Sequence, residues 1–278
     1  MRKKDSLLVR CLLIISLFSC ETEIDLELND NISKLVVVGE ITDQNTPPRV
    51  TLSQTAAYSS NQPTPKISGA VVKIIDDFGE IISLPESREK GIYIADDSIQ
   101  GKIGRSYILQ IELPSGKIYT SFPEKLNPVA PIDSLAAEFL TDVPEEDAWF
   151  VTVYFNDPPV SIDYYRWKIF INGTFMDRAE DLYSTGFESV LNGEPIDLSF
   201  LEFPLEEGDQ ATVQQLSLTE EAQQFLFEVE VQTKATGGPF DAPVAPIIGN
   251  IRNKDDPNDF ALGYFFASSV TSESITIK

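Results

Sequence analysis

The residue best placed for covalent chemistry is Cys20, which follows a short apolar segment near the start of the chain. Basic residues occupy positions 2–4, and small Ser19 stands directly before the cysteine. This arrangement is typical of a secretion signal that is later removed. The segment Leu17-Phe18-Ser19-Cys20 looks like a lipobox, whose cysteine is acylated before the chain is cut ahead of it. We expect a signal peptide over residues 1–19 and a lipid, such as palmitate, on Cys20; the alternative is an ordinary signal peptide cut near Ser19.

The apolar segment is far shorter than the roughly 20 residues that a membrane-spanning helix needs, so a permanent span is not expected. The chain has two cysteines, and Cys11 lies inside the segment to be removed. With Cys20 carrying a lipid, no thiol remains for a disulfide, a metal site or thiol catalysis.

The sequence contains no histidine. This excludes Ser-His-Asp and Cys-His catalysis, histidine-ligated zinc or iron, and histidine-based pH switching. Carboxylate-only chemistry and oxygen-ligated calcium remain open. We expect no enzymatic activity, no catalytic residues and no cofactor.

Acidic runs offer the remaining candidates for chemistry. Residues Asp255-Asp256-Pro257-Asn258-Asp259 could supply oxygen ligands to calcium, but the run lacks the glycine and terminal glutamate of an EF-hand loop. A solvated turn is the favoured interpretation, and Asp142–Asp147 is interpreted as an exposed loop. Paired carboxylates could hydrolyse a glycoside, but acidic residues are so abundant that no spacing singles out a pair. We therefore expect no metal site.

Four aromatic residues could form a platform for sugars or peptides: Trp149, Tyr164, Tyr165 and Trp167. They lie within alternating strand patterns, so packing in the core is favoured over an exposed platform.

The net charge is −23. Removing residues 1–19 takes away four basic residues and one acidic residue, which leaves 17 basic and 43 acidic residues and a net charge of −26. Such a chain repels nucleic acids and anionic lipid headgroups, so we expect neither as a partner. The acidity is interpreted mainly as a means of keeping an exported protein soluble.

Short strands separated by turn signals about every ten residues predict a β-sandwich over residues 34–124. Alternation is clearest in Tyr107–Leu113, where odd-numbered residues are apolar. The proline-rich connector Pro123–Pro131 is predicted to separate this sandwich from a second β-rich domain over residues 125–278. Residues 20–33 are predicted to form the lipidated tether.

One amphipathic helix is predicted near residues 219–235. Thr219 is a suitable N-cap, and Glu220 and Glu221 complement the positive end of the helix dipole. Apolar residues follow at helical spacing, and Gly237-Gly238-Pro239 is predicted to end the helix.

Several short motifs together resemble the lipoprotein family known as domain of unknown function 4249. They are Cys20 with Ile24-Asp25-Leu26, Lys34–Gly39, Ser68–Val72, Gly91-Ile92-Tyr93, Gly101–Tyr107, Pro131–Ser134, Tyr164–Trp167, Asn172-Gly173, Gly249-Asn250-Ile251 and Leu262–Phe265. The first half also resembles the carboxypeptidase-regulatory or transthyretin-like sandwich, a non-catalytic Ig-like module. Members of the lipoprotein family tend to be encoded beside TonB-dependent outer-membrane transporters.

The resemblance implies a non-enzymatic accessory to a TonB-dependent barrel, anchored in the outer membrane and exposed at the cell surface rather than at the periplasmic face. It would assist substrate capture or uptake. The first alternative is a structural or assembly subunit of an envelope complex that binds no small ligand. A remote alternative is a carboxylate-dependent hydrolase.

Overall fold

The computed structural model describes residues 33–56, 64–141, 147–159, 161–177, 183–187, 195–234 and 247–278, with only the backbone described for 183–187. The predicted signal peptide, Cys20 and residues 20–32 of the predicted tether lie outside these residues, as do residues 142–146 of the acidic run. Residues Ser33–Lys278 form one compact unit.

The protein is mainly β, as predicted, and its described residues contain one α-helix. The strands are β1 Leu35–Thr42, β2 Arg49–Gln54, β3 Val71–Asp76, β4 Ile81–Leu84, β5 Ile92–Ile94, β6 Ser106–Glu112, β7 Ile118–Ser121, β8 Glu124–Lys125, β9 Ile132–Leu140, β10 Ala148–Asn156, β11 Asp163–Ile171, β12 Thr174–Phe175, β13 Tyr183–Phe187, β14 Pro195–Ser199, β15 Gln210–Leu218, β16 Ile251–Asn253, β17 Leu262–Ser268 and β18 Val270–Thr276; the helix α1 is Glu220–Lys234.

The first sandwich packs two sheets across one apolar core. One sheet has the strand order β17-β1-β2-β5, and the other has the order β16-β7-β6-β3-β4 with β8 beside β6. Val37 and Leu52 face Ile74 and Leu109 across the core, and all four are fully buried. The period-two alternation of apolar residues along these strands places their core side chains on one face of each sheet. The alternation predicted for Tyr107–Leu113 is confirmed, because its apolar odd-numbered residues all belong to this core.

Two strands of the first sandwich come from the end of the chain. β17 pairs with β1 in parallel, from Val36–Leu262 to Thr42–Ser268, and β16 pairs with β7. The sequence division at residue 125 assigned both strands to the second half, whereas Ile251 of β16 and Phe265 and Ala267 of β17 lie in the first core. The first sandwich is therefore built from both halves of the chain.

Two glycines permit this return. Gly263 has φ +86°, and a Cβ atom there would lie 2.0 Å from the carbonyl oxygen of Val37. A Cβ atom on Gly249 would lie 1.6 Å from the carbonyl oxygen of Gly263. Backbone segments approach so closely here that no side chain fits at either position.

The second sandwich packs the sheet β14-β10-β9 against the sheet β12-β11-β15-β18, with β13 also paired to β11. An aromatic cluster fills its centre, in which the ring of Phe155 lies 5.4 Å from that of Tyr165 and 6.1 Å from that of Trp167. Trp167 donates its indole N–H to Gln215 Oε1 at 3.0 Å. Tyr165 donates its hydroxyl to Asp157 at 2.7 Å, so the polar ends of both rings are satisfied inside the core.

Helix α1 begins as predicted. The Thr219 hydroxyl oxygen accepts the backbone N–H of Ala222 at 3.2 Å, which is the N-cap hydrogen bond. Ala222 and Leu226 are buried, and the helix packs on Tyr264 and Phe266 of β17. The predicted stop at residues 237–239 lies outside the described residues. Within the part of the chain that the structure describes, no helix is both long and apolar enough to cross a membrane.

A buried carboxyl group lies where the first sandwich meets helix α1. Glu124 is 3% exposed, and its carboxylate accepts the hydroxyls of Thr219 at 2.6 Å and Tyr264 at 3.1 Å. Asn250 Nδ2 lies 3.4 Å from the same carboxylate. Burial raises the pKa of Glu124 to about 7, although these hydrogen bonds act in the opposite direction.

We expect Glu124 to make stability depend on pH. The folded pKa of about 7 lies above the ordinary value of 4.5, so the folded protein binds this proton more tightly than the unfolded chain. The resulting stabilisation is complete below about pH 4.5 and is lost as pH rises through about 7. From the shift, the loss amounts to up to about 3 kcal/mol.

Urea unfolding of the wild type and Glu124→Gln at pH 5 and pH 8 measures this contribution. The neutral amide has no ionisation penalty, so the Gln variant will lose less stability than the wild type over this interval. An equal loss in both proteins would contradict the assignment.

We also expect Gly263→Ala to lower the free energy of unfolding by about 2–4 kcal/mol, because the added methyl group collides with the backbone of β1. Gly116→Ala is the matched control. Gly116 has a similar φ of +85° with no atom within 4 Å of the added Cβ, so its substitution carries only the backbone strain of about 1 kcal/mol. Equal losses in the two variants, measured by urea unfolding, would show that the close approach to β1 is unimportant.

Candidate binding groove

The second sheet of the first sandwich has an outer face, which points away from the core. Cross-strand pairing aligns Lys73, Gln110, Thr120 and Arg252 in one polar row across β3, β6, β7 and β16. Because cross-strand partners project to the same side, these four side chains share the outer face.

A groove of about 420 Å³ lies where β6, β7 and β16 meet on this face. Its lining residues are Gln110, Ile118, Thr120, Ser121, Phe122, Arg252, Asn253 and Lys254. Ser121 and Asn253 are buried, and each already makes a hydrogen bond within the fold. The side chains that define the exposed surface of the groove are therefore the remaining six.

Arg252 is held in a fixed orientation beside the groove. Its guanidinium carbon lies 5.5 Å from the ring centre of Phe122 and 5.6 Å from that of Phe260. One terminal nitrogen donates to the carbonyl oxygens of Gly249 at 2.7 Å and Ile251 at 3.0 Å. Partial burial lowers the pKa of Arg252 from its ordinary value.

The groove is lined by two cations and no carboxylate. Within the described part of the chain, neither Arg252 nor Lys254 has an acidic side chain at ion-pair distance. The residues that line the groove therefore have a net positive charge, although the protein as a whole is negatively charged.

The first described residues lie beside the same groove. The Lys34 ammonium lies 3.5 Å from the ring centre of Phe260. The backbone of Phe260 forms an antiparallel β-bridge with that of Arg252. Alternating cations and aromatic rings thus extend from the start of β1 to Phe122, in contacts typical of cation–π pairs.

The comparison with protein-family models gives a match over residues 21–274 to the family described as "Domain of unknown function (DUF4249)". The chain belongs to this family. The comparison with curated proteins gave no match.

Two solved structures are similar at low levels. A two-domain fibronectin type-III segment from chicken tenascin is 14% identical, with a TM-score of 0.21, and the match covers 67% of this chain and 91% of that one. An α-L-rhamnosidase from Dictyoglumus thermophilum is 10% identical, with a TM-score of 0.24, covering 68% of this chain and 27% of the enzyme. TM-scores this low support no conclusion about the function of this family member.

Two of the motifs that carry the family resemblance, Gly249-Asn250-Ile251 and Leu262–Phe265, meet beside β17 in the first sandwich. Asn250 donates to the carbonyl oxygen of Phe265 at 2.9 Å and accepts the backbone N–H of the same residue at 3.0 Å. The motif Gly249-Asn250-Ile251 is thereby fastened to Leu262–Phe265, and both contribute to the surroundings of Glu124.

The acidic run at residues 255–259 is a turn tied to its neighbours. One Asp259 oxygen accepts hydrogen bonds from Lys117, Tyr119 and Asn253, each at 2.9 Å. Asp256 accepts the backbone N–H of Asn258 at 3.0 Å. These hydrogen bonds agree with the interpretation of this run as a turn. Within the described ranges, no group of three or more acidic side chains has the arrangement of a metal site.

The aromatic residues singled out from the sequence are mainly structural. Trp167 and Tyr165 are at most 2% exposed in the second core, and Trp149 packs edge-on against Phe139 at 5.7 Å. Tyr164 packs against the cluster around helix α1. The preference for core packing is confirmed for Tyr165 and Trp167.

Sequence reasoning missed both the groove and the buried Glu124. Glu124 stood in the proline-rich connector Pro123–Pro131, and its partners lie 95 and 140 residues further along the chain. The available signal for the groove was the pair Arg252 and Lys254 at alternate positions, which places both side chains on one face of a strand.

Proposed function

We propose that this chain is a lipid-anchored, cell-surface protein of the outer membrane that serves as a non-enzymatic accessory to a TonB-dependent transporter. It docks on the barrel through the outer face of the first sandwich. The single observation that carries this proposal is a group of solvent-facing apolar side chains on β3 and β4. We call Val71, Ile75 and Ile81 the apolar strip.

The apolar strip has the properties of a contact surface. Val71 is 49% exposed and Ile81 is 59% exposed, and Ile75 pairs directly with Ile81 across β3 and β4. Among the described strands, β4 is the last on that side of the sheet, and an edge strand can pair with a strand of another chain. Lys73 lies between Val71 and Ile75 on the same face of β3. Exposed apolar side chains on a solvent-facing sheet are typical of protein interaction sites.

Charge favours the first sandwich over the second as the docking module. Its described residues, 33–56, 64–127 and 248–268, include 12 basic and 14 acidic residues. The described residues of the second sandwich and helix include 4 basic and 16 acidic residues. A nearly neutral surface approaches a partner with less electrostatic repulsion than a strongly acidic one.

A structural subunit of an envelope complex is the second candidate, since an apolar strip also suits a permanent assembly contact. The positively charged groove favours the accessory function, because a small-ligand site has no role in a purely structural subunit.

The anchor is tested first. We expect the wild type to incorporate radiolabelled palmitate and to fractionate with the outer membrane. Cys20→Ser will incorporate none, because the acylated thiol is gone. Labelling of the serine variant, or an unlabelled wild type, would refute lipidation at Cys20.

The docking partner is tested by affinity purification of the tagged protein from native membranes in mild detergent, followed by mass spectrometry. We expect a TonB-dependent barrel in near-stoichiometric amount. Ile81→Glu will remove most of it, because a charge on the apolar strip must be desolvated on docking.

Ile162→Glu is the matched control, since Ile162 is also an isoleucine and is 54% exposed outside the first sandwich. It will retain the barrel. If the wild type brings down no barrel, the accessory function is wrong. If Ile81→Glu retains the barrel, the docking surface lies elsewhere.

A further inference from the structure

The geometry points to a ligand site in the groove that binds a small organic carboxylate with an apolar body, held by Arg252 and Lys254. This inference goes beyond docking, since it concerns different residues at the opposite edge of the sheet from the apolar strip. It also names the chemical class of the captured ligand.

The first argument is charge. Some other cations of this chain are matched by carboxylates: Lys117 pairs with Asp259 at 2.9 Å, and Lys168 pairs with Glu40 at 2.7 Å. Arg105 pairs with Asp76. Arg252 and Lys254 have no such partner among the described residues. Lys73 also has none among these residues, but Arg252 and Lys254 lie together in one groove whose lining contains no carboxylate. An anionic ligand would supply the missing charge.

The second argument is the orientation of Arg252. A guanidinium group has five N–H bonds, and two hydrogen bonds to Gly249 and Ile251 hold one of its nitrogens. The contacts with Phe122 and Phe260 restrict the group further. The N–H bonds that remain are thus already oriented, and a planar carboxylate matches a guanidinium edge with two parallel hydrogen bonds.

The third argument is the shape and lining of the groove. Ile118 and Phe122 provide apolar surface, while Gln110 and Thr120 provide polar groups between the apolar surface and the cations. A volume of about 420 Å³ lies within the usual range for small-ligand sites. A ligand that consists of an aromatic ring and a short chain ending in a carboxylate therefore matches both the size and the chemistry of the groove.

The test is an NMR titration of the purified mature protein with 3-phenylpropionate. Its neutral amide, 3-phenylpropanamide, and inorganic phosphate serve as comparison probes. For a ligand of this size we expect a Kd of about 1 mM for the acid, at least fivefold weaker binding of the amide, and no competition by equimolar phosphate. Added salt will weaken binding of the acid, since its charge is recognised.

Lys254→Gln will weaken binding of the acid about threefold to fivefold, as the loss of one exposed charge contact predicts, and Phe122→Ala will weaken both organic probes. Lys73→Gln is the matched control, because Lys73 shares the polar row but does not line the groove. Arg252→Gln also removes two backbone hydrogen bonds, so the conclusion rests on Lys254 and Phe122, whose variants keep those bonds.

Equal binding of acid and amide, displacement of the acid by phosphate, or an equal loss in Lys73→Gln and Lys254→Gln would each overturn the inference. None of these outcomes affects purification of the barrel through the apolar strip. The ligand site and the docking function can therefore fail separately.

Discussion

The close approach of β17 to β1 is the constraint on which much of the remaining structure depends. A side chain at residue 263 would collide with the backbone of Val37, so glycine is required for the parallel pairing from Val36 to Thr42. That pairing inserts Phe265 and Ala267 into the first core. It also places β16 beside β7, and this arrangement creates the groove. Fold and candidate site thus depend on one backbone contact.

The same segment connects the first core with the hydrophobic cluster around helix α1. Tyr264 and Phe266 point from β17 toward helix α1, opposite in direction to Phe265. One strand thereby contributes alternate side chains to two hydrophobic clusters, as the twofold periodicity of strands allows. The ion pair between Glu40 of β1 and Lys168 of β11 adds a second, polar link between the sandwiches. This combination explains why residues 33–278 form one compact unit although they contain two separate cores.

Local sequence patterns were sufficient for local structure. The alternation in β6 and the N-cap at Thr219 each involve residues within a few positions of one another, and the structure contains both. The return of β16 and β17 could not be predicted in this way, because a parallel partner more than 200 residues away leaves no periodic signal in either strand. The groove was missed for the same reason, since its lining combines β6 and β7 with β16. Glu124 was missed because a charged residue in a proline-rich connector is ordinarily solvated.

The origin of β16 and β17 at the end of the chain has a consequence for biosynthesis. A ribosome completes the first half of the protein long before it reaches residue 268, yet the apolar core of that half needs Ile251, Phe265 and Ala267 to close. Contacts of such long sequence separation form slowly, because a large loop must be ordered before they contribute. The nascent N-terminal half therefore remains without two of its strands until residues 251–268 have been synthesised. A premature stop ahead of residue 262 would remove β17 and so damage the domain that was translated first.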